Sequence, residues 1–485
     1  MTFNTPGKNT VHIPSPLIWA QCIVFTALYS VWMIYELLYF RRILLISGAL
    51  LSLYPIYQYR HYFLQRRAVP IWLMVGLFVW ALFHLLFLSN DYPEQLMELR
   101  RIWKYAGLGS IFALGLGLSL TSVSACAPNQ QREKYYWMVI YFGLCFPVIF
   151  YLLKYILTTY GGLVGISSPA FMRIKFDGDY AYYIPKTDYI AFCLPVLALS
   201  LGQIYGQLTL RFRLYFRQYL VIALYLLVIV AILFLFYVQN TKNGIAYAVI
   251  MIGLFIAATL LRASVIKLWH KALLVVVVVI IAVTIVVPHL QKNHSWSTLI
   301  ADIRVGFQLE QYPHWRFAGA QGYPNNEYGT IVSSTNYERA AWFKAGLQLA
   351  IQEPLGYGLI EDSFKRLVRA KWPESSGLSH SHSGWLDLIL GVGFPGFLLL
   401  IAALLIDIKQ SREIFGPWKV LVSWALTANL ILWVTTEVAA TTSFSALLFW
   451  ISLSCGLTLV DQVQTMKIVK ASRSAIGRSN EDLKA

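Results

Sequence analysis

Apolar runs long enough to cross a hydrocarbon core of about 30 Å recur almost from one end of the chain to the other. They fall near 17–40, 43–59, 70–89, 102–125, 136–157, 188–206, 219–238, 244–262, 272–289, 384–408, 419–438 and 443–461, which predicts about twelve membrane helices. Between the ninth and tenth runs the pattern changes, and residues 290–382 are mixed and polar with no span of their own. A shorter break, about 158–187, is rich in Gly and Tyr. Long segments outside a membrane usually carry function or fold as small domains. The pattern thus divides the chain into a bundle of about nine helices (1–289), a loop domain (290–382), three further helices (383–461) and a basic tail (462–485).

With 58% apolar, 15% aromatic and only 13% charged residues in 485, the composition agrees with an all-α integral membrane protein. A cleaved signal peptide is not expected, because the first apolar run is too long, lacks a small-residue cleavage site and leads directly into more spans. Lys and Arg in short loops set the orientation. With both termini in the cytoplasm, the inner side holds Arg60, Arg66, Arg67, Arg132, Lys134, Arg211, Arg213, Arg217, Arg262, Lys267, Lys271, Lys409, Arg412, Lys419 and the tail cations Lys467, Lys470, Arg473 and Arg478. The other side holds chiefly Arg41, Arg42, Arg100, Arg101 and Lys242, and it receives the long 290–382 loop. The net charge of +16 then reflects this inner excess facing anionic lipid headgroups. Nucleic acid is a poor partner, since no compact soluble domain carries the charge. The five cysteines, Cys22, Cys126, Cys145, Cys193 and Cys455, lie in or beside spans and suggest neither a disulfide framework nor a zinc site.

Within the loop, "SSTNYERAAWFKAGLQLAIQEPLGYG" reads as a helix from Thr335 to near Pro354. Thr335 with Glu338 three residues on has the form of a capping box, so Glu338 is more simply a cap than a catalytic acid. Trp342, Ala345, Gly346, Leu349 and Ala350 share one face, with Lys344, Gln348 and Gln352 as a polar stripe. Such a helix lies along the membrane surface or against the bundle. Arg339 falls about 60° from the apolar centre and points toward a membrane-side cavity, either to act there or to snorkel to lipid phosphate.

Farther on, "HSHSGWLDLILGVGFPGF" (380–397) places His380 and His382 at the lip of a span. A lone histidine at an interface is more often an ordinary hydrogen-bonded residue. Here, however, Gly393-Phe394-Pro395-Gly396 follows at fixed distance, and these residues permit close helix contact and a bend that would fix the histidine's helix. The two histidines, two positions apart, are weak as a metal pair and have no third ligand at a convincing spacing. Asp387 lies about 140° round a helix from His382, which disfavours direct contact with the imidazole and leaves a packing hydrogen bond, for example to Ser383. Glu437, near the end of the eleventh run, is ambiguous in the same way.

These stretches together resemble the O-antigen ligase family and its relatives, the lipid-linked oligosaccharide polymerases and bacterial protein O-oligosaccharyltransferases. The outer turn "QNTKNGIAYA", the Arg-containing "YERAAWFKAGLQLAIQEPLGYG" and the histidine stretch occur in the family's order across about 239–397. The first six spans resemble the family only in number and hydropathy. Lys242 is a departure: the family usually offers arginine there, and an ammonium holds phosphate as a point charge without a bidentate fork. A lysine capping an Asn-rich turn is the alternative.

The resemblance implies a GT-C-like glycosyltransferase of the bacterial inner membrane with its active site facing the periplasm. The donor would be a glycan on undecaprenyl diphosphate, the acceptor a hydroxyl of lipid A-core oligosaccharide, and membrane lipids would surround the enzyme. No cofactor or metal is implied. His382 would be the base, because imidazole ordinarily titrates near neutrality. Arg339 and Lys242 would stabilise charge on the departing diphosphate, with His380 near the substrate. Direct displacement would invert the anomeric carbon. Arg304, Arg316, Arg366 and Arg369 are further cations with no assigned role, and Trp315, Tyr312, Tyr323 and "DYAYYIP" (179–185) read more simply as interface aromatics than as sugar platforms. A polymerase that extends the lipid-linked glycan is the nearest alternative. A transporter or flippase would call for repeated halves and paired midplane charges, and no such repeat is evident. A non-catalytic assembly factor gives no reason for three such groups to converge.

Overall fold

The structure, a computed structural model, describes residues 11, 13–124, 130–166, 169–172, 174, 183–210, 216–261, 268–435 and 441–460. Outside these lie Cys126, residues 179–182 of the tyrosine cluster, Arg211, Arg213, Arg262, Lys267, Glu437 and the basic tail. The described residues are built on helices. In chain order these are α1 (Ser15–Val31), α2 (Leu38–Gln58), α3 (Val69–Phe87), α4 (Tyr92–Glu98), α5 (Lys104–Ser124), α6 (Gln130–Tyr160), α7 (Lys186–Leu210), α8 (Phe216–Val238), α9 (Lys242–Leu261) and α10 (Leu268–Lys292). Then come α11 (Leu299–Gly306), α12 (Ser334–Gln352), α13 (Ser363–Lys371), α14 (Gly384–Gln410), α15 (Gly416–Val420), α16 (Leu426–Leu432) and α17 (Thr441–Thr458).

Among the described residues nine helices are long and apolar enough to cross a membrane, and Ser15–Val31 and Thr442–Thr458 are apolar but shorter. The run read as 419–438 is helical only to Leu432, reached through a wide turn at Leu421–Ala425. The first break also differs from expectation. It falls at Trp32–Ile34, which are apolar and therefore invisible to hydropathy, and Arg41 and Arg42 lie inside α2. Arg41 is buried there, its Nη1 donating to Trp32 O at 2.8 Å, so it closes the α1–α2 turn and is no loop cation.

The bundle packs α5 against α2 and α17, α14 against α3, α6 against α1, and α7 against α8 and α9. A buried carboxyl on α14, Asp407, accepts from Thr458 Oγ1 at 2.8 Å and Cys455 Sγ at 3.2 Å on α17, which satisfies a group that would otherwise be costly inside a bundle. The cysteines Cys22, Cys145, Cys193 and Cys455 are free and buried.

Residues 290–382 have a core of their own, in which Trp315, Trp342, Trp372, Tyr337 and Phe364 gather around α12. Trp315 is fully buried, edge-on to Trp372 at 5.0 Å, and donates from Nε1 to Leu309 O at 3.1 Å; it is core and not a sugar platform. The predicted apolar face of α12 is the buried face, and the helix packs on α11 and α14. Its N-terminus departs from the capping box. Ser333 is the N-cap and no side chain caps the helix, while the Glu338 carboxylate accepts instead from the Tyr323 hydroxyl at 2.9 Å.

The decisive irregularity is in α14. At Gly393 the backbone takes φ 69°, ψ 176°, a region almost exclusive to glycine, and Pro395 has no N–H to return to Gly391 O. The freed groups find partners in the Pro354–Gly358 loop: Tyr357 N donates to Leu390 O at 2.8 Å, Gly358 N to Gly391 O at 2.8 Å, and Phe394 N to Pro354 O at 2.9 Å. Trp80 Nε1, on α3, donates to Val392 O at 2.6 Å. The bend expected at the glycine–proline stretch is present, but the close approach is made by a loop backbone.

A Cβ at Gly393 would lie 2.4 Å from the Leu355 carbonyl carbon and oxygen. Gly393→Ala is expected to lower the melting temperature in detergent, the backbone conformation alone costing about 1–3 kcal/mol. Gly253→Ala on α9, where nothing lies within 4 Å, is expected to be neutral or stabilising by about 0.5–1 kcal/mol. Equal melting of both variants would contradict the kink.

Candidate active site

Two neighbouring stripes of α12 face two different parts of the chain. The first part is the turn before α9. Asn240 adopts a left-handed backbone (φ 52°), and Thr241 closes the turn with its N–H at 3.0 Å and Oγ1 at 3.2 Å from Phe236 O. Lys242 and Asn243 thereby open α9 beside α12. Lys242 Nζ donates to Ser295 O at 3.1 Å, to Ser295 Oγ at 3.2 Å and to Asn336 Oδ1, and sits 4.6 Å from the centroid of the Trp296 ring. An ammonium has three donors, so each N–H of Lys242 has an acceptor within the protein. Lys242 is a cross-link between α9, the Ser295 turn and α12 rather than a cap on its own turn. Arg339 Nη1, one turn beyond Asn336, donates to Asn243 Oδ1 at 3.0 Å, and Asn243 Nδ2 donates to Thr435 O at 3.2 Å. Arg339 therefore turns toward α9, and lipid phosphate does not explain this contact.

The adjoining stripe, Glu338 and Trp342, faces His382. The imidazole stacks on the Trp342 ring, centroids 4.9 Å apart and planes 12° from parallel. Burial lifts the Glu338 pKa above the usual glutamate value; the Tyr323 hydrogen bond and the electrostatic influence of His382 and Arg339 oppose that shift. His382 is not on a helix, since α14 starts at Gly384 and His382 itself has φ 57°. The helical angle that set Asp387 aside therefore does not apply. Asp387 Oδ1 accepts the Ser381 N–H at 2.9 Å, its own N–H donates to Ser383 O at 2.8 Å, and Ser381 Oγ donates to Ser383 O at 3.2 Å. Asp387 thus fixes the backbone on both sides of the imidazole. His380 is half-buried two residues earlier in the same non-helical stretch.

Beneath this lies a carboxylate that sequence reading missed. Asp302, on α11, is fully buried and accepts from Thr298 Oγ1 (2.7 Å), Asn326 Nδ2 (2.9 Å), Asn336 Nδ2 (2.8 Å) and Ser333 N (3.2 Å). It sets the orientation of the Asn336 amide, which in turn presents Oδ1 to Lys242. Also missed is His289, at the end of α10. It is fully buried, edge-on to Trp296 at 6.4 Å, and among the described residues neither its ring nitrogens nor Trp296 Nε1 has a hydrogen-bond partner. Nothing in the Val/Ile run before His289 marks it, and only the fold brings it beside Trp296 and Lys242.

The remaining loop cations are mostly committed. Arg304 pairs with Glu327 at 3.0 Å, Arg316 with Glu374 at 2.5 Å, and Arg366 with Glu94, while Arg369 is exposed. Among the described residues no group of three or more His, Cys, Asp or Glu side chains gathers as a metal site. The arrangement therefore offers an imidazole, a guanidinium and an ammonium around one helix, with a glutamate beside the imidazole.

A raised glutamate pKa means that the folded state binds the proton more tightly than the unfolded chain. Stability from Glu338 is therefore greatest below the usual glutamate range and is lost as pH rises through the raised value. Melting of Glu338→Gln, which keeps an acceptor for Tyr323, is expected to match the parent near about pH 4 and to exceed it at neutral pH; a gap that closes in the opposite direction would refute the assignment.

Residues 226–401, which include Lys242, Arg339, His380 and His382, match a family model described as O-antigen ligase. No curated protein matches the chain.

Proposed function

From the match of residues 226–401 to the O-antigen ligase family model, we propose that this multi-pass membrane protein transfers O-antigen polysaccharide from undecaprenyl diphosphate to a hydroxyl of the lipid A-core oligosaccharide. The fold would be GT-C-like and would sit in the bacterial inner membrane with the site facing the periplasm. The observation that carries this reading is the double seating of α12, with Asn336 and Arg339 against the start of α9 and Glu338 and Trp342 against His382.

In the proposed step the acceptor oxygen attacks the anomeric carbon as His382 removes its proton. The bond from that carbon to the phosphate oxygen breaks, and the electron pair leaves with undecaprenyl diphosphate. A single in-line displacement inverts the anomeric centre. Arg339 offers a planar fork to the departing diphosphate, and its pre-set position supplies stabilisation without reorganisation. Lys242 adds a second cationic group beside it. To touch phosphate directly it must exchange a protein acceptor, most simply Asn336 Oδ1, for a phosphate oxygen. His289 and Trp296 Nε1, unpartnered among the described residues and close to Lys242, would gain acceptors in the same exchange. Two cations carry the charge in this scheme, so no metal is called for. His380, two residues before the base, would bind substrate.

A polymerase would use the same chemistry with another lipid-linked glycan as acceptor. Deleting the gene separates the two: accumulated lipid-linked polymer with uncapped lipopolysaccharide means ligase, and accumulated single repeat units mean polymerase.

With purified protein, donor and acceptor, His382→Ala is expected to lower kcat by about 10²–10⁴-fold, and Arg339→Lys to lose much of the rate while keeping the charge. Trp296→Phe keeps an aromatic face for Lys242 while removing the N–H and part of the indole; it should raise the donor KM and leave the acceptor KM alone. Activity is expected to persist in excess chelator. A fully active His382→Ala would rule out the base role.

A further inference from the structure

The family match begins at residue 226, yet the loop that repairs the α14 kink is held on its other side by residues from the first hundred. Gln95 Nε2 donates to Tyr357 O at 3.2 Å and lies 3.1 Å from His84 Nδ1, while His84 Nε2 lies 3.1 Å from Gly356 O. Because Gln95 Nε2 can only donate, His84 Nδ1 is the acceptor and Nε2–H donates to the carbonyl, which fixes one neutral tautomer. Three residues farther along, Glu98 takes two successive amides, Ile360 N on Oε1 at 2.6 Å and Glu361 N on Oε2 at 3.1 Å. All three side chains are buried. The fit leaves no slack: Gly358 has φ 98°, and a Cβ there would lie 1.2 Å from Gln95 Nε2.

We infer that His84, Gln95 and Glu98 are positioning residues for His382, acting through the Pro354–Glu361 loop and the hinge at Gly393. This rests on the transfer reading above. The loop is bonded on one side to these three residues and on the other to the unwound turn 390–394. From that turn the half-helix 384–392 runs to the His382 loop. At 1.5 Å per residue the half-helix is about 13 Å long, so a tilt of about 5° at the hinge moves its far end by about 1 Å. A displacement of that size at reacting atoms costs on the order of 10²-fold in rate. A clamp on the hinge therefore governs how the imidazole is aimed at its substrate.

The test compares His84→Leu and Gln95→Leu, which delete donors, with His84→Gln, whose amide can present an N–H where Nε2 stood. Full-length protein in detergent is followed by amide hydrogen exchange and by transfer kinetics per folded molecule. The two leucine variants are expected to exchange at least about tenfold faster at Tyr357 and Gly358 and also at Ser381–Ser383. Their kcat should fall about 10- to 100-fold with both KM values within about twofold, and His84→Gln should recover most of both losses. Faster exchange at 357–358 with none at 381–383, or with kcat intact, would overturn the positioning role. Equal loss in His84→Gln with a matching loss of folded protein would reduce the three residues to scaffolding. The exchange arm needs neither donor nor acceptor, so a parent protein with protected amides but no transfer activity would count against the transfer reading and not against the clamp.

Discussion

A backbone that leaves its helix inside a membrane protein must find new partners for every N–H and C=O that it releases. In this chain that requirement is met at the turn 390–394 of α14, where Gly393 and Pro395 free Leu390 O, Gly391 O, Val392 O and Phe394 N. Three of the four are taken by the Pro354–Gly358 loop and the fourth by Trp80. The loop can serve only because α12 delivers it and because α3 and α4 hold it from behind. The kink thus ties together the two parts of the sequence that hydropathy separates.

The second organising element is α12, whose adjacent stripes do different work. One side is polar and held by hydrogen bonds from α9 and the buried Asp302; the other is aromatic and holds His382 by stacking. Asp302 orders Asn336 and Asp387 orders the His382 backbone, so each side has a buried carboxylate behind it. Such supporting groups keep cations and imidazole in place before any substrate arrives, which is what electrostatic stabilisation of a developing charge demands. They also make Lys242 less available than its charge implies.

What the sequence disclosed follows from what periodicity encodes. The long apolar runs, the buried face of α12 from Trp342 to Ala350 and the bend at the glycine–proline stretch were all legible, because each is a local pattern. The break at Trp32–Ile34 was hidden because an apolar turn has no hydropathic mark. The capping box at Thr335 and Glu338 failed for a tertiary reason: Tyr323 takes the Glu338 carboxylate that would have closed it, and the helix already begins at Ser334, which leaves Thr335 inside its first turn. His289, Asp302 and the clamp residues His84, Gln95 and Glu98 could not be singled out, since an isolated polar residue in or beside an apolar run reads alike whether it is structural or functional.

The contacts between the clamp and its loop join residues 262 to 272 positions apart. A ribosome adding about 5–20 residues per second takes about 13–52 s to make that stretch. During this interval α3 and α4 are already made while the chain they are shaped to receive is not, so His84, Gln95 and Glu98 must hold their polar atoms on temporary partners. Assembly of this region therefore closes late, with a glycine-rich turn completing helices that were made long before it.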